Sequence, residues 1–72
     1  MNRIAVNSKG LKSVGYNPKI HLLEIEFKEG MIKQFFGVPK SKFEGLMDSP
    51  TKDLFFDQDI RENFATAELV QS

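Results

Sequence analysis

The chain has 72 residues, 40% of them hydrophobic and 28% charged, with no cysteine and a formal net charge of zero. A length like this holds one domain, residues 1–72, which buries only roughly 60% of its unfolded surface and so has a thin core. The composition excludes a disulfide framework, a thiolate metal site and, with no apolar run near the ~18 residues of a bilayer span, a membrane helix; no signal-peptide pattern opens the chain, and a cytoplasmic protein is expected.

Asn2 to Val6 alternates Ile4 and Val6 and reads as an edge strand or ordered arm. Asn7-Ser8-Lys9-Gly10 is turn chemistry: short polar side chains that bond nearby backbone, then a residue free to take positive φ. Leu11 to Tyr16 is extended again, with Val14 and Tyr16 on one face, and Asn17-Pro18-Lys19 ends it because Pro18 has no N–H and restrains Asn17. His21 to Lys28 is the clearest strand, with Leu23, Ile25 and Phe27 on one side and Leu22, Glu24, Glu26 and Lys28 on the other.

Gly30 to Pro39 forms the next strand and its exit into a helix. Two hairpin registers compete. A two-residue Glu29-Gly30 loop sets Phe27 opposite Ile32, Leu23 opposite Phe36 and Glu26 opposite Lys33, with Phe35 on the outer face opposite Glu24. A longer Lys28-Glu29-Gly30 loop with Gly30 as a bulge sets Phe27 opposite Met31 and turns Lys33 and Phe35 inward. The first is preferred because it does not bury the Lys33 ammonium.

Pro39 suits the first turn of a helix, and Ser41 to Glu44 matches a capping box, so the start is placed within about two residues. Phe43, Leu46 and Met47 recur at helical spacing, and Gly45 weakens that helix so that packing must hold it. Asp48-Ser49-Pro50-Thr51 stops it. Thr51 is expected to cap a short turn carrying Leu54, Phe55 and Phe56 inward, and Asp57 to cap a last helix bearing Ile60 and Phe64. Ala65 to Val70 is read as a closing strand, with Gln71-Ser72 fraying. The expected class is α+β: a small antiparallel β-meander of three to four strands followed by two short helices packed on one face.

The zero net charge hides an asymmetry. Residues 1–42 carry eight basic side chains against three acids, and residues 43–72 carry two against seven. Either the halves occupy different sides of a dipolar molecule or folding mixes the charges. His21 is the only histidine and has no orienting partner nearby in sequence. Asp57-Gln-Asp59 lacks the third ligand, glycine and distant glutamate of a calcium loop, and a helix cap explains it better. No phosphate loop, nucleophile triad or metal spacing occurs, so neither an enzyme nor a cofactor is expected. A more informative group is Phe35 interleaved with Lys28, Lys33 and Lys12. An exposed ring on a sheet stacks a base and lysines neutralise phosphate; alternatively the ring packs and Lys33 pairs with Glu26.

Taken in order, Ser8, Val14-Gly15-Tyr16-Asn17, Leu23 to Phe27, Gly30, Phe35 to Pro39, Phe43, Phe55-Phe56-Asp57, Ile60-Arg61 and Phe64 resemble the KTSC domain. That small domain is named for the C-terminus of some lysyl-tRNA synthetases and also occurs as a stand-alone short protein. The family's Tyr-x-Tyr signature before its Val-Pro reads Lys33-Gln34-Phe35 here, and Asp53 stands where the family usually has glycine. The resemblance implies an α+β fold, no established activity, and a suggestion of RNA binding. Two functions are therefore expected. In the first, Phe35 and Tyr16 stack on bases while Lys12, Lys28 and Lys33 contact phosphates. In the second, the chain is a protein-interaction module or small regulator. Neither involves a membrane, and monomer and edge-paired dimer stay equally open.

Overall fold

A computed structural model describes residues 3–69. Ile4–Ala5 (β1), Leu11–Asn17 (β2), Leu22–Phe27 (β3), Ile32–Phe36 (β4) and Ala65–Leu69 (β5) form one antiparallel sheet in that order. Between β4 and β5 the chain makes two helices, α1 (Lys40–Asp48) and α2 (Lys52–Phe55), the second running on into a π-helical turn over Phe56–Ile60. The class is α+β with five strands rather than three or four. The count reaches five because both the short first strand and the expected closing strand pair into the sheet, β5 on the free edge of β4. Asn2 of the expected first strand, Val70 of the closing one, and Gln71-Ser72 lie outside the described residues.

Helices cover one face of the sheet, so side-chain parity decides what is buried. Val14, Leu23, Ile25 and Phe35 meet Val38, Leu46, Phe56 and Ile60 in the core. In β2 the ladder steps from Leu11 opposite Phe27 to Ser13 opposite Glu26, leaving Lys12 as an extra residue. That bulge puts Leu11 in the core and Ser13 on the outer face, which an uninterrupted strand cannot do.

The hairpin takes the longer loop. Leu23 pairs with Phe35 and Ile25 with Lys33. The Gly30 N–H donates to the Phe27 carbonyl at 2.9 Å, the Phe27 N–H donates to the Met31 carbonyl at 2.8 Å, and Gly30 sits at φ 101°. This is a three-residue loop closed by a left-handed glycine. The preferred two-residue register is thus corrected, and with it the exposure of Phe35, whose side chain is 1% exposed, whereas Phe36 on the outer face is 45% exposed. This register costs little at Lys33, which is only half-buried and keeps its Nζ 6.0 Å from the centre of the Phe27 ring.

α1 carries the expected stripe, with Leu46 buried and Phe43 and Met47 packed beside it. Pro39 is the N-cap residue in extended geometry, and Ser41 lies inside the first turn, so no capping box forms. Gly45 is where the helices touch: a Cβ there would stand 2.7 Å from the Phe55 ring. Thr51 stands at the N-cap of α2 as expected but makes no side-chain cap hydrogen bond, and Asp57 is not a cap. Asp57 lies inside the π-helical turn, where the Arg61 N–H reaches back to the Phe56 carbonyl at 2.9 Å. Leu54, expected inward, is 54% exposed, because three successive helical residues cannot share one face and Phe55 and Phe56 take it.

The uncovered face carries a polar network. Arg3 Nη1 donates to Glu24 Oε2 at 2.7 Å, Gln34 Nε2 donates to Glu24 Oε1 at 3.2 Å, and Ser13 Oγ donates to Glu26 Oε1 at 2.8 Å. Glu26 therefore pairs with this group and with Lys12 rather than with Lys33.

Candidate functional site

The β3–β4 loop, the β2 bulge and the π-helical turn meet at one end of the sheet and leave an open cleft of about 610 Å³. Its floor is apolar: Phe27 and Met31 are half-exposed there, and Leu11, Phe35 and Phe56 lie buried beneath them. The Phe56 ring meets Phe27 and Phe35 edge-on, at centroid distances of 5.5 and 5.3 Å, the geometry that aromatic quadrupoles favour. The rim is ionic and mixed. Lys9, Lys33 and Arg61 supply positive charge; Glu29, Asp53, Asp57 and Glu62 supply negative charge. Arg61 Nη1 is held 3.1 Å from Asp57 Oδ1 across one helical turn.

A second cleft of about 530 Å³ adjoins the first, with Lys9 and Asp53 on the boundary between them. It lies between the β1–β2 loop, Lys28 of the hairpin loop and the α1–α2 turn, and Leu54 forms its exposed apolar wall.

Lys9 and Lys33 from the basic first half and Asp53, Asp57 and Glu62 from the acidic second half thus share one rim, and Lys42 pairs with Asp59 at 3.6 Å. At this end of the molecule folding mixes the charges rather than separating them.

The geometry has the stamp of a known small domain. A family model for the KTSC domain matches residues 7–64. The chain belongs to the KTSC domain family. It is 33% identical over 58 residues to an uncharacterized protein of Stutzerimonas stutzeri (strain A1501), a match spanning 81% of this chain and 82% of that one. Its structure superposes on the crystal structure of a KTSC domain protein from Yersinia pestis with a TM-score of 0.90 at 33% identity, covering 96% of this chain and 97% of the other.

The five residues expected to hold nucleic acid are dispersed in this KTSC domain. Phe35 is sealed beneath the first cleft, so its ring is closed to stacking. Tyr16 is also occupied: its ring stacks on Phe43 at 4.8 Å with an 8° interplanar angle, and its Oη donates to the Val38 carbonyl at 2.6 Å. Burial pushes the Tyr16 phenol above its ordinary value. Lys33 lines the first cleft and Lys28 the second, while Lys12 reaches across the outer face to Glu26 Oε2 at 3.8 Å. Sequence reasoning missed Lys9, Lys52, Asp53 and Arg61 as cleft residues. Only Asp53 carried a signal, as a departure from the family pattern, and it lines the cleft together with Lys33 and Phe35, the other two departures.

His21 stands alone at the β2–β3 turn with φ 52°, and its carbonyl accepts the Val38 N–H at 3.0 Å. Asp57 and Asp59 are engaged by Arg61 and Lys42. No helix among the described residues is long and apolar enough to cross a membrane.

Proposed function

We propose that this KTSC domain is a non-catalytic module that binds a protein partner by taking one of its segments into the first cleft. The observation that carries this reading is the combination of an apolar floor, open at Phe27 and Met31, with a rim of three cations and four carboxylates. An apolar centre within a mixed polar rim is how protein interfaces are built. A uniformly anionic strand would meet four carboxylates on that rim, and the ring meant to stack its bases is covered. RNA binding is the second reading. Its support is the family suggestion together with the lysines of the second cleft, and it does not use Phe35.

Thr66 is exposed at the cleft edge, so Thr66→Arg fills the cleft without disturbing the core. Affinity capture with tagged wild-type and variant chains, each with and without nuclease, tests the reading. A protein retained after nuclease and lost with Thr66→Arg is the expected result. Capture of RNA, with every protein lost on nuclease treatment, overturns it in favour of the second reading.

A further inference from the structure

The second cleft carries three ammonium groups, Lys9, Lys28 and Lys52, against one carboxylate, Asp53. Among the described residues none of the three is within the 4.0 Å ion-pair distance of a carboxylate, a state they share with Lys19, Lys33 and Lys40, but only these three line one cleft together. Lys52 is steered into place by donating to the Ser49 carbonyl at 2.9 Å. Ser8, nearly buried on the cleft wall, accepts the N–H groups of Gly10 and Leu11, both at 3.4 Å. Its oxygen is turned to the backbone, and its hydroxyl proton has no acceptor among the described residues. Like charges gathered on one concave surface raise the local potential and favour a counter-anion there.

We infer that this cleft is a phosphate-binding site, occupied by a phosphorylated side chain of the partner segment whose apolar part fills the adjoining cleft. This rests on the protein-partner reading given above. A phosphate monoester fits better than a carboxylate because it brings close to two negative charges and three acceptor oxygens to three ammonium donors. One compact anion next to a mixed-charge cleft suits a peptide better than RNA, because a nucleic-acid strand laid across both clefts would meet Glu29, Asp53, Asp57 and Glu62.

The test is a titration of the ¹⁵N-labelled full chain, at fixed ionic strength, with inorganic phosphate, phosphoserine, a peptide carrying phosphoserine beside phenylalanine, its unphosphorylated form, and a uridine oligonucleotide. Inorganic phosphate and phosphoserine should give saturable amide shifts confined to Gly10, Leu11 and Thr51 to Asp53, with Kd in about the millimolar range. The phosphopeptide should bind at least ~10-fold tighter than its unphosphorylated form. Lys28→Gln with Lys52→Gln should abolish these shifts, while Lys19→Gln with Lys40→Gln, also lysines but outside the cleft, should leave them unchanged. Non-saturating shifts, or equal loss in both lysine pairs, overturn the site. Phosphate binding at these amides with no gain from the peptide keeps the anion site and refutes the shared segment. Tighter binding of the oligonucleotide than of the phosphopeptide at the same amides replaces the peptide by RNA.

Discussion

Replacing Phe35 and Phe36 separately by alanine tests the hairpin register, and with it the whole account of the cleft. Phe35 is 1% exposed and its ring meets Phe56 edge-on at 5.3 Å, so deleting it leaves a cavity in the middle of the core. Truncating a buried phenylalanine costs about 3–5 kcal/mol. At about 0.05–0.15 kcal/mol per residue, the 72-residue chain has about 4–11 kcal/mol of stability in all. Phe35→Ala therefore removes about a quarter of it or more. Phe36 is 45% exposed on the uncovered face, and its loss costs about 1 kcal/mol, the part of a full phenylalanine burial that this exposure leaves. Urea and thermal denaturation followed by far-ultraviolet circular dichroism measure both. At about 4–8 °C per kcal/mol for a domain of this size, the midpoint falls by at least ~12 °C for Phe35→Ala and by about 4–8 °C for Phe36→Ala. The two-residue loop register demands the opposite order. A larger loss at Phe36 than at Phe35, or losses equal within about 1 kcal/mol, would refute the register and the burial of Phe35.

Gly30→Ala forces a side chain onto φ 101° and should destabilise by about 1–2 kcal/mol in urea unfolding, with no change in slope. His21→Gly should act in the other direction and stabilise by up to about 1 kcal/mol, because His21 holds a left-handed conformation that glycine adopts freely; a destabilisation of that size would count against it. Tyr16 is the chain's one tyrosine and there is no tryptophan, so phenolate absorbance reports it alone. Burial raises its pKa above 10.0, which means the folded state holds the proton more tightly than the unfolded state. Stability from this group is complete below about 10 and is lost as pH rises through the higher folded value. Tyr16→Phe should remove that alkaline loss and lower stability at neutral pH by about 1 kcal/mol, the worth of the hydrogen bond to Val38. A wild-type absorbance midpoint at or below the ordinary tyrosine value would contradict it.

Much of the framework was legible from residue order alone. Leu23, Ile25 and Phe27 alternate against Glu24 and Glu26, and only one face of that strand can enter a core, so β3 and its orientation followed. Phe43, Leu46 and Met47 at helical spacing fixed the buried side of α1, and the Asn17-Pro18 and Asp48-to-Thr51 breaks fell where the structure turns. The β4 register was different, because Ile32 and Phe36 on one face and Met31 and Phe35 on the other are equally apolar. Shifting the pairing by one residue exchanges those faces at little difference in local energy. What settled it was tertiary: the Phe56 edge waiting for Phe35, and a Phe27 ring over which the Lys33 ammonium could stay near water. The clefts are still further from the sequence. Lys9, Lys33, Asp53 and Arg61 are separated along the chain and become neighbours only when the hairpin loop, the bulge and the π-helical turn close on one another. Local pattern encodes which side of each element is buried; which polar groups share a concave surface depends on how the elements are placed, and no periodicity carries that.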